Sequence, residues 1–194
     1  MAVTWLEGPA LEPVSVSEAR MFLRIDGTEE DAGLAAFLKV ARELCEAFTG
    51  LVLIATRFQE IRAFDIAQNR GSAPWSAGRG VMLTKGPVRQ VVAATLVSAD
   101  GTRTALSASD YALEEDARGG AWLRMAFLPP MQARLEVDYW AGLGADWNAV
   151  PEALRQGILR LAAHLYSHRD RPDDTGPPLA VAALWRPFRK GRLA

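Results

Sequence analysis

The sequence predicts an α+β fold: a helical-bundle body with helices near 15–24, 29–49, 151–168 and 179–186, and an inserted antiparallel β-sheet region at about 51–140. Three observations carry this expectation. Apolar residues recur at spacings of three and four in the first 50 residues and again after Val150, the period of a helix that buries one face. Between them lie runs rich in β-branched and aromatic residues, divided by glycine- and proline-bearing turns, which is strand chemistry. The chain of 194 residues, 49% apolar and 23% charged, suffices for one domain with a real core.

The first helix is announced by "SVSE" at 15–18, the pattern of a capping box in which Ser15 and Glu18 each satisfy the other's backbone N–H. Ala19, Phe22 and Leu23 then share one side of a short helix. Thr28 is a suitable N-cap for the second helix, and Glu29, Glu30 and Asp31 place negative charge where the dipole favours it. That helix carries Leu34, Leu38, Ala41, Cys45 and Phe48 as its inward stripe and stops at Gly50, a residue free to adopt the left-handed cap.

The period changes at "LVLIATRFQEIRAF", 51–64, which reads as a strand. Residues 66–80, "IAQNRGSAPWSAGRG", have no apolar period and read as a flexible loop. "VMLTKGPVRQVVAATLVSADGTRTAL" reads as two strands joined at Asp100-Gly101, a hairpin signal. Further strands are expected at 110–114, 121–126 and 133–140, with Pro129-Pro130 between the last two. Pro151 and Glu152 open the long final helix, and the breakers in "DRPDDTGPP" at 170–178 end it. The expected organisation is one domain over 1–194: N-terminal helices at 1–50, the inserted β region at 51–149, a packing helix at 150–169, and a linker with a C-terminal tail at 170–194. There is no internal repeat.

Charge and composition exclude several functions. A net charge of −1 argues against a general nucleic-acid binder, which needs a basic excess to neutralise phosphates. No window approaches 18 consecutive apolar residues and "MAVTWLEGPALEP" is unlike a leader, so synthesis in the cytoplasm with no membrane partner is expected. A single cysteine, Cys45, rules out an internal disulfide framework and a cysteine-based zinc cluster.

The candidate chemistry is sparse. His164 and His168 are the only histidines and sit one helical turn apart, close enough to share a metal ion. Yet Leu165 stands where a zinc protease helix has its glutamate. Leu154, Ile158, Leu161, Leu165 and His168 form one stripe at spacings of four, three, four and three, so the pair reads as part of a packing helix. Asp110, Glu114, Glu115 and Asp116 are the densest carboxylates of the β region, with no histidine among them, and read as a solvated edge. No Walker, GxGxxG or GxSxG pattern occurs. The expectation is a protein that is not an enzyme and takes no cofactor or metal.

Of the six tryptophans, Trp122 and Trp140 lie in expected strands, Trp75 in the loop and Trp147 before the last long helix. Trp185 differs. It lies in "ALWRPFRKGRLA" among Arg186, Arg189, Lys190 and Arg192 with no acidic residue. An apolar and basic segment beyond a breaker is a docking-tail candidate, with Leu184, Trp185, Arg186, Phe188, Arg189, Lys190 and Arg192 as its contacts.

The order of "EPVSVSEARMFLRIDGTEEDAGLAAFLKVARELCEAFTG", "TKGPVRQVVAATLVSADG", "DYALEE", "LEVDYWAGLGADWNAVPEALRQGILRLAAHLYSHRD" and "LAVAALWRPFRKGRL" resembles the head-tail connector (adaptor) proteins of tailed phages and of gene transfer agents, over nearly the whole chain. The resemblance implies a structural ring of twelve copies beneath the portal in the neck of a virion or phage-like particle. Its partners would be the portal protein, a stopper or tail-side neck protein, further copies of itself, and passing double-stranded DNA in transient, non-specific contact. The tail would then dock on the portal, and the 151–168 helix would help pack the ring. The long 66–80 loop departs from the family pattern. Three rivals stay open: a stopper or tail-completion protein, a small metal-dependent hydrolase using His164 and His168, and a DNA-binding regulator using the basic C-terminus.

Overall fold

The computed structural model describes residues 2–64, 80–115, 120–168 and 177–190. The chain divides into two compact units, Met1–Gly8 with Thr56–Gly142, and Pro9–Ala55 with Leu143–Ala194.

The second of these units is helical. It contains α1 (Val16–Leu23), α2 (Asp31–Thr49), α3 (Glu152–Ser167) and α4 (Leu179–Trp185). The capping box forms: Glu18 N–H donates to Ser15 Oγ at 3.2 Å and Ser15 N–H donates to Glu18 Oε2 at 2.8 Å. Glu30, rather than Thr28, is the N-cap of α2, without a side-chain bond. At its far end Gly50 takes φ 75° and donates to Glu46 O at 2.8 Å, the left-handed closure that glycine permits. One apolar cluster joins Leu38, Ala41 and Cys45 of α2, Leu154, Ile158 and Leu161 of α3, and Val181 and Trp185 of α4. Residues 51–55, the start of an expected strand, turn inward here instead: Leu53 and Ile54 are buried in the same cluster, and Ala55 N–H donates to Gly144 O at 2.7 Å. Arg42 is 2% exposed and is neutralised by Glu12 at 2.8 Å and Glu46 at 3.1 Å, as a buried charge requires.

The other unit is all β. Its strands are β1 (Ala2–Glu7), β2 (Thr56–Ala63), β3 (Gly80–Leu83), β4 (Val88–Val97), β5 (Arg103–Ala105), β6 (Tyr111–Glu115), β7 (Ala121–Met125) and β8 (Arg134–Ala141). They build an antiparallel five-stranded sheet in the order β1-β2-β8-β4-β5 and an antiparallel three-stranded sheet in the order β3-β7-β6. Strict alternation along β2 and β8 sends Phe58, Leu135, Val137, Tyr139 and Ala141 inward, and the period of two makes that face wholly buried. The Asp100-Gly101 turn closes the β4–β5 hairpin, with Ser98 N–H donating to Thr102 O at 2.9 Å and Gly101 at φ 87°. Glu60 is 0% exposed. Its carboxylate accepts from Tyr139 Oη at 2.7 Å, from Thr84 N–H at 3.0 Å and from the Thr84 hydroxyl. Burial, together with the adjacent negative charge of Glu60, pushes the Tyr139 hydroxyl well above its usual pKa, so it donates at any ordinary pH.

The expected helical-bundle body with an inserted sheet is therefore overturned. Among the described residues there are four α-helices and eight strands, and strands contribute about as much as helices. The sheets bury their own apolar set, including Phe58, Val81, Leu83, Leu96, Leu123, Met125, Leu135, Val137 and Tyr139. A region with a complete interior of its own is not an appendage to a bundle. Nor is it a simple insertion, since β1 comes from before the first helix and pairs with β2. The 81–106 stretch makes three strands rather than two: β3 pairs with β7 and β4 with β8, because Gly86-Pro87 interrupts the run and proline cannot donate to a ladder.

Candidate docking site

The C-terminal segment is built from its breaker upward. Pro178 O accepts the N–H groups of Val181 and Ala182, both at 2.9 Å, and starts α4. A seven-residue helix is marginal alone, so packing holds it: Val181, Ala182 and Trp185 point inward, and Trp185 is 0% exposed. Its indole Nε1–H donates to Leu154 O at 3.3 Å, and its ring lies 5.8 Å from Phe48, tilted. Gly157 makes the seat. A Cβ at that position would lie 2.0 Å from Trp185 Nε1, so the glycine, unfavourable in mid-helix by about 0.5–1 kcal/mol, lets α3 and α4 meet.

The segment is thus anchored. Leu184 and Phe188 pack against the same cluster, and Lys190 N–H donates to Thr49 O at 2.8 Å, closing the C-terminal end of α2. Two arginines face outward: Arg186 is exposed, and Arg189, also exposed, holds its guanidinium 5.6 Å above the Phe48 ring. No carboxylate pairs with either among the described residues. The result is a cationic surface on a rigid, indole-pinned base. Arg192, the 66–80 loop up to residue 79 and Trp75 lie outside the described residues.

The stripe on α3 lies within the helical unit. Leu154, Ile158 and Leu161 are buried inside the unit's own core, and Leu165 is partly buried against it. His168 is the C-cap of α3, stacked on His164 at 4.3 Å, with Nδ1 3.0 Å from His164 O. Among the described residues no group of three His, Cys, Asp or Glu could hold a metal ion. Burial, reinforced by Glu46, raises the Cys45 thiol far above its usual pKa and leaves it an inert core residue. Of the carboxylates, Asp110 accepts from Ser107 Oγ and N–H at 2.6 and 2.7 Å, which holds its pKa below the usual value. Glu114 pairs with Arg124, Glu115 is exposed, and Asp116 lies outside the described residues. No helix among the described residues is long and apolar enough to cross a membrane.

Sequence reasoning missed the seat. Gly157 and Phe48, which fix the indole, are separated from it by a loop and by most of the chain, and only a glycine inside an apolar helical stripe hinted at close approach. It also missed Arg155, whose guanidinium donates to Pro13 O at 2.9 Å, Glu18 Oε1 at 2.6 Å and Glu152 Oε2 at 2.9 Å while lying 4.6 Å from the Trp147 ring centroid.

No protein-family model matches this chain, and no curated protein sequence does. Solved structures do. A chain in the neck of an empty gene transfer agent (GTA) particle computed with C6 symmetry superposes with a TM-score of 0.78 at 29% identity, covering 100% of this chain and 98% of that one. A chain of the virion of a native gene transfer agent particle gives 0.76 at 28%, and one in the neck of a native GTA particle computed with C12 symmetry gives 0.73 at 28%, each with the same coverage.

Proposed function

We propose that this chain is a structural, non-enzymatic neck subunit of a phage-like particle: an adaptor whose copies form a twelve-membered ring beneath the portal, join head to tail and let DNA pass. One observation carries the reading, the end-to-end likeness to a GTA neck chain at TM-score 0.78 and 29% identity. Fold likeness alone does not assign function, but here the likeness runs through almost the whole of both chains. The net charge of −1 suits a wall that DNA passes without sticking.

In this reading Arg186, Arg189 and Lys190 touch the portal, while Trp185, Leu184 and Phe188 hold them in place from within. The role of Leu154, Ile158, Leu161, Leu165 and His168 in ring packing is indirect: they fix the helical unit whose outer faces meet neighbours. Removing the tail would be a poor test, because it would remove the indole from the core. The better test is the double charge reversal Arg186→Glu with Arg189→Glu in the full chain, with binding to purified portal rings measured. The expected result is at least about tenfold weaker binding, roughly 1.4 kcal/mol, with thermal unfolding unchanged. Unaltered portal affinity would contradict the docking role, and binding to a tail-side neck protein but not to portal would make this chain a stopper.

A further inference from the structure

We infer that neighbouring copies join edge to edge through the five-stranded sheet, with β5 of one copy laid parallel to β1 of the next. The inference rests on the ring reading above. A ring of like copies needs two different complementary surfaces on each subunit, and this sheet carries one at each end. β1 and β5 are its edge strands. Among the described residues no strand pairs with the outer side of either, so alternate N–H and C=O groups along both face outward and accept a further strand.

β1 is also unguarded. Edge strands are usually blunted by lysine, proline or inward charge, whereas "AVTWL" at 2–6 has none of these before Glu7. On its inner face an aromatic row runs out to the edge: Tyr139 lies 6.0 Å from Phe58, Phe58 lies 6.4 Å from Trp5, and Trp5 ends the row 48% exposed. A half-covered tryptophan at the end of a buried row is the kind of anchor that interfaces complete. Thr104 of β5 stands opposite Leu96, which stands opposite buried Leu135, so Thr104 lies on the same sheet face as Trp5.

Strand direction agrees with a ring. Four antiparallel steps separate β1 from β5, so the two run parallel. The ~30° step between copies of a twelve-fold ring and the twist of the sheet both turn the strands, but their sense is kept, so the edges meet as a parallel rather than an antiparallel pair. Pairing of β1 with β1 would instead be antiparallel and would close as a two-fold dimer.

The test uses neck-containing particles made with the full chain carrying Thr4→Cys and Ala105→Cys, treated with a short bis-maleimide that tolerates a slip of one residue. Thr4 and Ala105 share the outer face, through Gln59 and Asp138 for the first and Thr95 and Glu136 for the second. Buried Cys45 is 0% exposed and stays silent. The expected product is a ladder of covalent oligomers extending beyond the dimer, with neither single-cysteine variant linking. Dimers from Thr4→Cys alone would show β1–β1 pairing and overturn the inference. Particles that hold the double variant in wild-type amount but give only monomer would overturn it while leaving the ring intact, and absence of the unmutated chain from particles would overturn the ring reading too. Leu6→Lys, which charges the edge without touching the core, decides the matter if the cysteine variants assemble poorly: neck incorporation should fall at least about tenfold with unchanged unfolding, and wild-type incorporation would refute the edge pairing.

Discussion

The helical unit and the sheet unit manage their aromatic residues in opposite ways. In the first, Trp185 is sealed at 0% exposure between Phe48 and the gap above Gly157, and the basic residues beside it face out. In the second, the row Tyr139, Phe58, Trp5 starts buried and ends 48% exposed at a sheet edge. The difference teaches where binding energy is stored. Under the proposed function, a finished core supports a charged surface whose contacts would be electrostatic and salt-sensitive, whereas an unfinished sheet edge would offer apolar area and backbone hydrogen bonds to another strand.

The largest effect expected from breaking this contrast comes from Trp185→Ala. Removing a fully buried indole should cost about 3–5 kcal/mol, read by denaturant unfolding. In hydrogen exchange the amides of α2, α3 and α4 should lose protection while those of β2 and β8 keep theirs; equal loss in both units would show one shared core and dissolve the comparison. Gly157→Ala attacks the same seat more mildly, since the new Cβ must displace the indole. About 1–3 kcal/mol is expected, with a shift in tryptophan emission that a remote helix substitution would lack.

In the sheet unit the corresponding weak point is polar. Tyr139→Phe leaves buried Glu60 without one of its donors, at a cost of about 1–3 kcal/mol, and should lower protection of β2 and β8 while sparing α3. The smallest effect concerns the start of α1. Ser15→Ala should cost about 1 kcal/mol. Burial raises the Glu18 pKa, but bonds from Ser15 and Arg155 outweigh it and leave the group below its ordinary 4.5. The unfolded chain then takes up this proton first as pH falls, so the stability Glu18 provides is present above about pH 4.5 and lost below it. Glu18→Gln should flatten that part of the acid-unfolding curve.

These contrasts also show what was legible beforehand. Short-range signals read well: the Ser15–Glu18 box, the Gly50 cap, the Asp100-Gly101 turn and the alternation of β8 depend on neighbours a few residues apart. The body-and-insertion architecture failed because it ranks regions by size of core, and burial of Leu123, Leu135 and Val137 is set by strands that pair across long stretches of sequence. β1 was invisible for a related reason, since "AVTWLE" gains its meaning only from Phe58 and Glu60 opposite. The C-terminal segment stood out by its composition, but its rigidity did not, because the Gly157 seat and the Leu154 carbonyl are tertiary facts.

A neck subunit has a fixed place in the particle, and position tests that place most directly. Electron microscopy of purified particles carrying this chain with a label should show density in a ring at the neck, directly beneath the portal. Particles that pack normally with the label absent from the neck would contradict the account.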